Sequence, residues 1–281
     1  MDPIVFMAVL LAAAFHAGWN ALLKIKLEPL IALSLVSAAC GLFGGILIFF
    51  APPPAPASWI YIVASLVIHL GYYLALSESY RHGELSQIYP IARGTAPLLT
   101  AVAAFLWLGE ELGFLGWLGV AVIGGGVLML SLRRKNDLAR FHGRSVTFAL
   151  LTAVTIMLYT LADGTGARLS DSPIAYIGWL FLLDGVMMLA FGMVYAKGKM
   201  IEGMRSSWGL VLAGGFLSTT AYGIAIWAMT KAPIALVATL RETSVLFAAM
   251  IGVVFLKEPL LPSRAIAAVL VVIGAVLLRM R

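Results

Sequence analysis

The chain is short of almost everything a water-soluble protein relies on. Of its 281 residues only 11% are charged while 62% are hydrophobic, against about 25% charged in an ordinary soluble domain, so a soluble globular domain is excluded. There is one cysteine, Cys40, so no internal disulfide can form. Four histidines and no Cys/His cluster at metal-ligand spacing leave no expected metal or cofactor. H-E-x-x-H, G-x-S-x-G and a phosphate-binding glycine loop are all missing, so no catalytic residues are expected and the chain reads as a non-enzyme. The opening MDPIVFMAVLLAAAFHAGWN has no basic segment before its apolar stretch, which reads as a retained first helix rather than a cleaved leader.

What remains is apolar sequence. Ten runs of about 20 residues, the length needed to cross a bilayer, lie near 3–23, 30–51, 59–80, 87–108, 114–132, 145–163, 173–195, 207–230, 234–256 and 264–280. The expected class is an all-α membrane protein with ten transmembrane helices. Its partners are then the lipid bilayer and a small-molecule substrate. The net charge of +6 belongs to membrane orientation and implies no nucleic acid.

The second half repeats the first. RGTAPLLTAVAAFLWLGEELGFLGWLGVAVIGGGVLML, shifted by 148 positions, lies over RETSVLFAAMIGVVFLKEPLLPSRAIAAVLVVIGAVLL and sets Arg93 over Arg241, Glu110 over Glu258 and Gly126 over Gly274. GYYLALSESYR and TAYGIAIWAMTK place Tyr72 over Tyr222, and a weaker match places Trp19 over Tyr159. The expected organisation is a first repeat over 1–132, a basic connecting loop over 133–144 and a second repeat over 145–281. Five helices per unit make the second unit enter from the opposite side, giving two inverted repeats. One chain then already contains its pseudo-dimer and can work as a monomer or as a homodimer. Outside the two intramembrane arginines, 13 Lys and Arg fall in loops after odd-numbered runs and 4 on the other side. The positive-inside rule then predicts both termini outside the cytoplasm, in a multi-pass protein of the inner (plasma) membrane.

Charge inside an apolar run is costly, and function is the default reason for it. Arg93 and Arg241 offer planar forks of donors suited to carboxylate or phosphate oxygens, or serve as partners for a buried acid. Pro90 and Pro97 flank Arg93 and predict a kinked or broken helix there. Glu242 stands where the first half has Gly94, and it either pairs with Arg93 across the pseudo-twofold or binds protons or an amine. Asp184 sits among leucines and methionines, as a proton carrier or as half of a packing ion pair. Asp163 and Glu78 lie near the ends of their runs, where interfacial exposure is expected. His16, Asn20 and Lys24 form a polar stripe at i, i+4, i+8, and His69 lies close to Tyr72. Each histidine suits proton transfer or plain hydrogen bonding. Trp19, Tyr72, Tyr159, Tyr222 and Trp227 suit either a cavity wall or packing.

The paired endings FLWLGEELGFLGWLGVAVIGGGVLML and VVFLKEPLLPSRAIAAVLVVIGAVLL resemble the EamA-like domain of the drug/metabolite transporter superfamily. The resemblance implies a central cavity walled by helices 1, 3, 4, 6, 8 and 9, with helices 5 and 10 at the periphery and Asp184 on the less favoured helix 7. Such permeases move amino acids, other metabolites, nucleotide sugars and drugs, often in exchange for protons or another solute. The opening HAGWNALLK resembles a subset associated with phosphonate use. Relatives of this kind usually have cytoplasmic termini, the reverse of the charge count here. The expected function is a secondary transporter of a small anionic or zwitterionic metabolite (amino acid, organic acid or organophosphonate) working by alternating access. Substrate binding would involve Arg93, Arg241, Trp19, Asn20, Tyr72 and Tyr222, and coupling Glu242, His16, His69 and Asp184. The alternatives are a multidrug or cation efflux transporter using an intramembrane acid, and a non-transporting receptor or assembly subunit.

Overall fold

A computed structural model describes residues 1–22, 27–82, 85–131, 143–254, 257 and 262–281, apart from the side chains of 80–82 and 85–88. Its elements are α1 (Pro3–Leu22), α2 (Pro29–Leu47), α3 (Trp59–His82), α4 (Leu85–Leu108), α5 (Gly113–Met129), α6 (Gly143–Arg168), α7 (Pro173–Met229), α8 (Ile234–Arg241), α9 (Ser244–Val254) and α10 (Pro262–Met280). No strand occurs among the described residues. Eight helical segments among them are long and apolar enough to cross a membrane, and α5 is a shorter apolar helix. Most of loop 133–144, together with Lys24 and Glu258, lies outside the described residues.

The starts of several helices follow from local chemistry. Asp2 Oδ1 accepts the N–H groups of Ile4 (2.8 Å) and Val5 (3.2 Å), satisfying donors that have no partner within the first turn. Pro29 and Pro173 occupy first-turn positions, where a missing N–H costs nothing.

Two elements depart from simple rods. A straight helix of the 57 residues of α7 would be about 85 Å long at 1.5 Å per residue. The rings of Phe181 and Tyr222 nevertheless lie 6.2 Å apart, so the chain doubles back. The reversal uses Ala196 and Ser207, whose φ/ψ angles leave the helical region, and it makes two arms of the seventh and eighth apolar runs. The second departure separates α8 from α9. There the N–H groups of Glu242, Thr243, Val245 and Leu246 each bond to the carbonyl three residues back, at 2.9–3.1 Å, which is the tighter 3₁₀ pattern.

That break corrects an expectation. Pro90 and Pro97 were expected to kink or break the helix around Arg93, and α4 runs through both without a break. A proline's missing N–H and displaced carbonyl are tolerated where neighbouring helices pack around them. The interruption falls instead at the equivalent place in the other half, beside Arg241, where there is no proline at all.

The bundle has inverted polarity. Val194, Phe49 and Phe114 are 80–90% exposed, as suits a surface solvated by lipid tails, whereas Arg93, Asp163, Asp184, Arg241 and Glu242 are all buried. Glycine seams draw the helices together. A Cβ on Gly185 of α7 would lie 2.5 Å from Gly41 Cα and 2.7 Å from Ser37 O of α2. Small residues of this kind let backbones touch. Gly119 of α5 and Gly274 of α10 form a comparable seam.

At one end the bundle is tied by a carboxylate. Gly109 and Gly113 take φ of +65° and +62°, a region open mainly to glycine. They turn the chain so that Glu110 accepts the N–H groups of Ile234 (2.8 Å) and Ala235 (3.2 Å) at the start of α8. Arg168 Nη2 donates to the same carboxylate at 2.9 Å, and Arg168 also donates to the carbonyls of Met229 and Ala232.

The α2–α7 contact makes a measurable prediction. Gly185→Ala forces two backbones apart and should destabilise the protein by about 1–3 kcal/mol. Gly125→Ala, where an added Cβ meets nothing within 4 Å, should be neutral or stabilise by up to about 1 kcal/mol. Thermal unfolding of the two variants in detergent checks the contrast.

Candidate functional site

Three of the buried charged residues, Arg93, Asp184 and Arg241, line one cavity. It has a volume of about 90 Å³, and its walls include His16, Trp19, Tyr72, Arg93, Tyr159, Tyr222 and Arg241, with His69 and Asp184 on another side. It is room for about three water molecules at their liquid volume. A wider depression of about 660 Å³ lies nearby between α2, α3 and α7, with Leu30 and Ser77 in its wall and an ion pair between Glu28 and Lys199 at its rim. Leu30 and Ser77 are each about one helical turn from Leu33 and Tyr73 of the cavity.

The two arginines are held differently. Arg93 is grasped by Glu242: Nε donates to Oε2 at 3.0 Å, and Nη2 lies 3.0 Å from Oε1. Both side chains are almost fully buried, so this two-point contact links α4 of the first half to the break between α8 and α9 in the second. Arg241 has no such partner. Among the described residues no carboxylate lies within 4 Å of it, and its guanidinium sits 4.8 Å from the centre of the Tyr222 ring. Facing π electrons offer a cation partial compensation. The reason for the difference is geometric. Consecutive side chains on a helix diverge by about 100°, so when Glu242 turns toward α4, Arg241 is left toward the cavity.

Aromatic rings form the wall between these charges. Tyr159 lies 4.5 Å from His69, 5.7 Å from Tyr72 and 5.8 Å from Tyr222 by ring centroids. Tyr222 donates its hydroxyl to Asp163 Oδ2 at 2.5 Å, and Tyr176 donates to Oδ1 at 3.0 Å. Asp163 was expected at an exposed interface and is instead 0% exposed. Hydropathy ends the sixth apolar run at residue 163, but α6 continues to Arg168 and carries Asp163 more than a turn inside. Glu78 is less buried than Asp163 and lies 3.9 Å from Arg144.

Asp184, a coupling candidate on the helix that the family resemblance favours less, stands in the cavity wall: α2 and the first arm of α7 both contribute to it, through Ser37, Cys40, Phe181 and Asp184. The glycine seam explains this, because two helices whose backbones touch can both reach the centre. Asp184 Oδ2 accepts from Tyr73 at 3.0 Å, and the Tyr73 hydroxyl lies 2.9 Å from Ser37 Oγ. Oδ1 lies 3.6 Å from His69 Nδ1, and both of those atoms are buried without a hydrogen bond.

Other expected residues divide. His16 Nδ1 accepts from Trp19 Nε1 at 3.2 Å, leaving its buried Nε2 unpartnered. Asn20 spends its amide on the His16 carbonyl at 2.8 Å and is not in the cavity wall, and Trp227 packs in the apolar core. Tyr73, Ser37 and Phe181 are wall residues that sequence reasoning passed over. Tyr73 had a signal, since it adjoins Tyr72 and sits four residues from His69. Among the described residues, no group of three or more His, Cys, Asp or Glu could hold a metal ion.

An apolar exterior around a charge-lined interior, on membrane-length helices, defines a multi-pass membrane protein. Residues 3–132 and again 143–280 match the EamA-like transporter family, and the chain belongs to that family. No curated protein matches the sequence. A crystal structure 18% identical in sequence superposes with a TM-score of 0.75, covering 98% of this chain and 94% of the other. That likeness shows a shared fold.

The ion pair yields a second prediction. Arg93→Gln or Glu242→Gln strands a buried charge and should cost about 3–5 kcal/mol, whereas replacing both by apolar residues of similar size should cost far less. A double-mutant cycle on unfolding in detergent reads the coupling directly.

Proposed function

We propose that the protein is a secondary transporter that carries a small anionic or zwitterionic metabolite by alternating access. The observation that carries this reading is Arg241: a guanidinium buried in a central cavity with a ring beneath it and no carboxylate against it. A carboxylate or phosphonate group supplies the planar or tetrahedral oxygens such a fork binds. Arg93, already engaged by Glu242, positions the break that presents Arg241. Tyr72, Tyr222 and Trp19 wall the cargo. The small cavity supports a compact solute over a drug-sized one, for which pockets of about 300–1,000 Å³ are usual.

Ten crossings in two inverted five-helix repeats suit this activity, with units at 1–132 and 145–281 about a connector at 133–144. The two arms of α7 support the count. Lys257 supports the repeat, because it takes φ of 53° at the place equivalent to Gly109. Packing supports it as well: α2 meets the first arm of α7, α5 meets α10, and α3 on α6 mirrors α1 on the second arm of α7. Exchange of roles between the halves then opens the cavity alternately to either side. The Glu110–Arg168 tie closes one end, while the depression beside Glu28 and Lys199 leads in from the other. The charge count makes that second end cytoplasmic and puts both termini outside, in the plasma (inner) membrane.

Transport tests the assignment. In proteoliposomes loaded with a panel of small carboxylates and phosphonates, Arg241→Gln should weaken the apparent affinity for the transported anion about 30-fold or more, the equivalent of about 2 kcal/mol for a lost charge-assisted contact. Arg241→Lys should restore part of it. Uptake of a lipophilic cation that Asp184→Asn abolishes and Arg241→Gln leaves intact would replace this reading by cation efflux.

A further inference from the structure

Five charged side chains are buried among the described residues: Arg93, Arg241, Asp163, Asp184 and Glu242. Two are cations and three are acids, so they do not cancel. Arg93 is matched by Glu242. Arg241 is matched at one remove by Asp163, through the Tyr222 ring it overlies and the hydroxyl that ring donates. Asp184 is the acid left over. Among the described residues no lysine or arginine lies within 4 Å of it, and its one basic neighbour is His69.

The local geometry repeats the message. Asp184 Oδ2 is satisfied by Tyr73, but Oδ1 faces His69 Nδ1 at 3.6 Å, and both atoms are fully enclosed without a hydrogen bond. An ionised carboxylate only accepts, and a neutral imidazole carries its single proton on either ring nitrogen. In both tautomers the Asp184–His69 pair keeps a net negative charge, which one further proton between Oδ1 and Nδ1 removes. We propose that Asp184 and His69 form a proton-binding site of the cavity, that one proton bridges Oδ1 and Nδ1, and that an anion at Arg241 binds together with that proton. The proton sits on the carboxyl, donating to neutral His69, or on the imidazole, donating to the carboxylate. In either form the pair becomes electrically neutral.

The coupling follows from charge. With all three acids ionised the interior already holds one unbalanced negative charge, and an anion at Arg241 brings a second into an apolar bundle. A proton on the Asp184–His69 pair removes one of them, and by linkage each ligand then favours the other by the same factor. Asp184 is touched by Tyr73 and His69 of α3, and it shares the cavity with Ser37 and Cys40 of α2 and Ser218 and Tyr222 of the second arm of α7. Tyr159 of α6 lies against His69, and Asp163 stands behind Tyr222. Arg93 and Arg241 share the same cavity, Arg93 held by Glu242 and Arg241 lying over the Tyr222 ring.

The anion half of the proposal rests on the transport reading above, and the test separates the two. Infrared difference spectra of the ligand-free wild-type protein across a pH titration should show a band change that Asp184→Asn removes, a protonated carboxyl stretch if the proton sits on Asp184 or a shifted carboxylate stretch with imidazolium bands if it sits on His69. Acetate and methylphosphonate serve as anion probes in calorimetry. Wild-type affinity should fall about tenfold per pH unit on the alkaline side of the titration, while Asp184→Asn should bind them with no pH dependence. An infrared band change and pH slope unchanged in Asp184→Asn would overturn the proton site. An Asp184 signal with no anion binding by any form would overturn the coupling and the anion reading, and leave the proton site standing. His69→Gln keeps the acid and removes its partner, so it should shift the infrared transition. It supplies the same test if Asp184→Asn does not fold.

Discussion

A guanidinium and a carboxylate, both taken out of water, hold the two halves of this bundle in register. Each of Arg93 and Glu242 alone would be very expensive in an apolar interior, and together they are tolerable only in the arrangement seen, with two nitrogen–oxygen contacts. That requirement fixes more than one contact. It sets the rotation of the chain at the break between α8 and α9. It also turns Glu242 toward α4 and so leaves Arg241 pointing at the cavity. On the proposed reading, the cargo-binding arginine is thus a by-product of satisfying the structural pair, and the asymmetry between the halves is what frees it.

The same constraint organises the rest of the interior. A membrane bundle is surrounded by lipid rather than water along its outer face, so a buried charge needs a partner or a place on an interior cavity. Arg93 has Glu242, and Arg241 has an aromatic face backed by Asp163. Asp184 has a histidine that can match it only by sharing a proton. A solute entering such a cavity alters a nearly closed set of charges, and this is the physical root of coupling in the proposal. The glycine seams serve that arrangement by letting α2 and the first arm of α7 approach closely enough to bring Ser37 and Asp184 to the centre.

Much of this was legible in the sequence, because the signals were periodic or repeated. Twenty-residue apolar runs imposed the helices, and the duplicated arginine marked the interior of each half. The Arg93–Glu242 pairing was one of two readings open for Glu242, and the geometry brings those side chains together. The failures are equally physical. Hydropathy truncated α6 at its own acid, so Asp163 passed for an interfacial residue. Prolines in α4 suggested a break that neighbouring helices suppress, while a proline-free stretch beside Arg241 carries the real one. Asp184 was named for coupling although the family's usual plan favours its helix less as cavity wall. How far a helix reaches inward depends on backbone-to-backbone distance, which one sequence does not encode. Asn20 looked available, but its amide is spent on its own helix.

The central claim is that the cavity selects for negative charge through Arg241. The most direct measurement is a thermal-shift comparison of the purified wild-type protein with small carboxylates, phosphonates, amino acids and lipophilic cations, since a ligand of the folded state raises apparent stability as its concentration exceeds Kd. The account predicts stabilisation by at least one small acid-bearing solute and none by the cations. Stabilisation by lipophilic cations alone would contradict it and make the buried acids, rather than Arg241, the groups that hold the cargo.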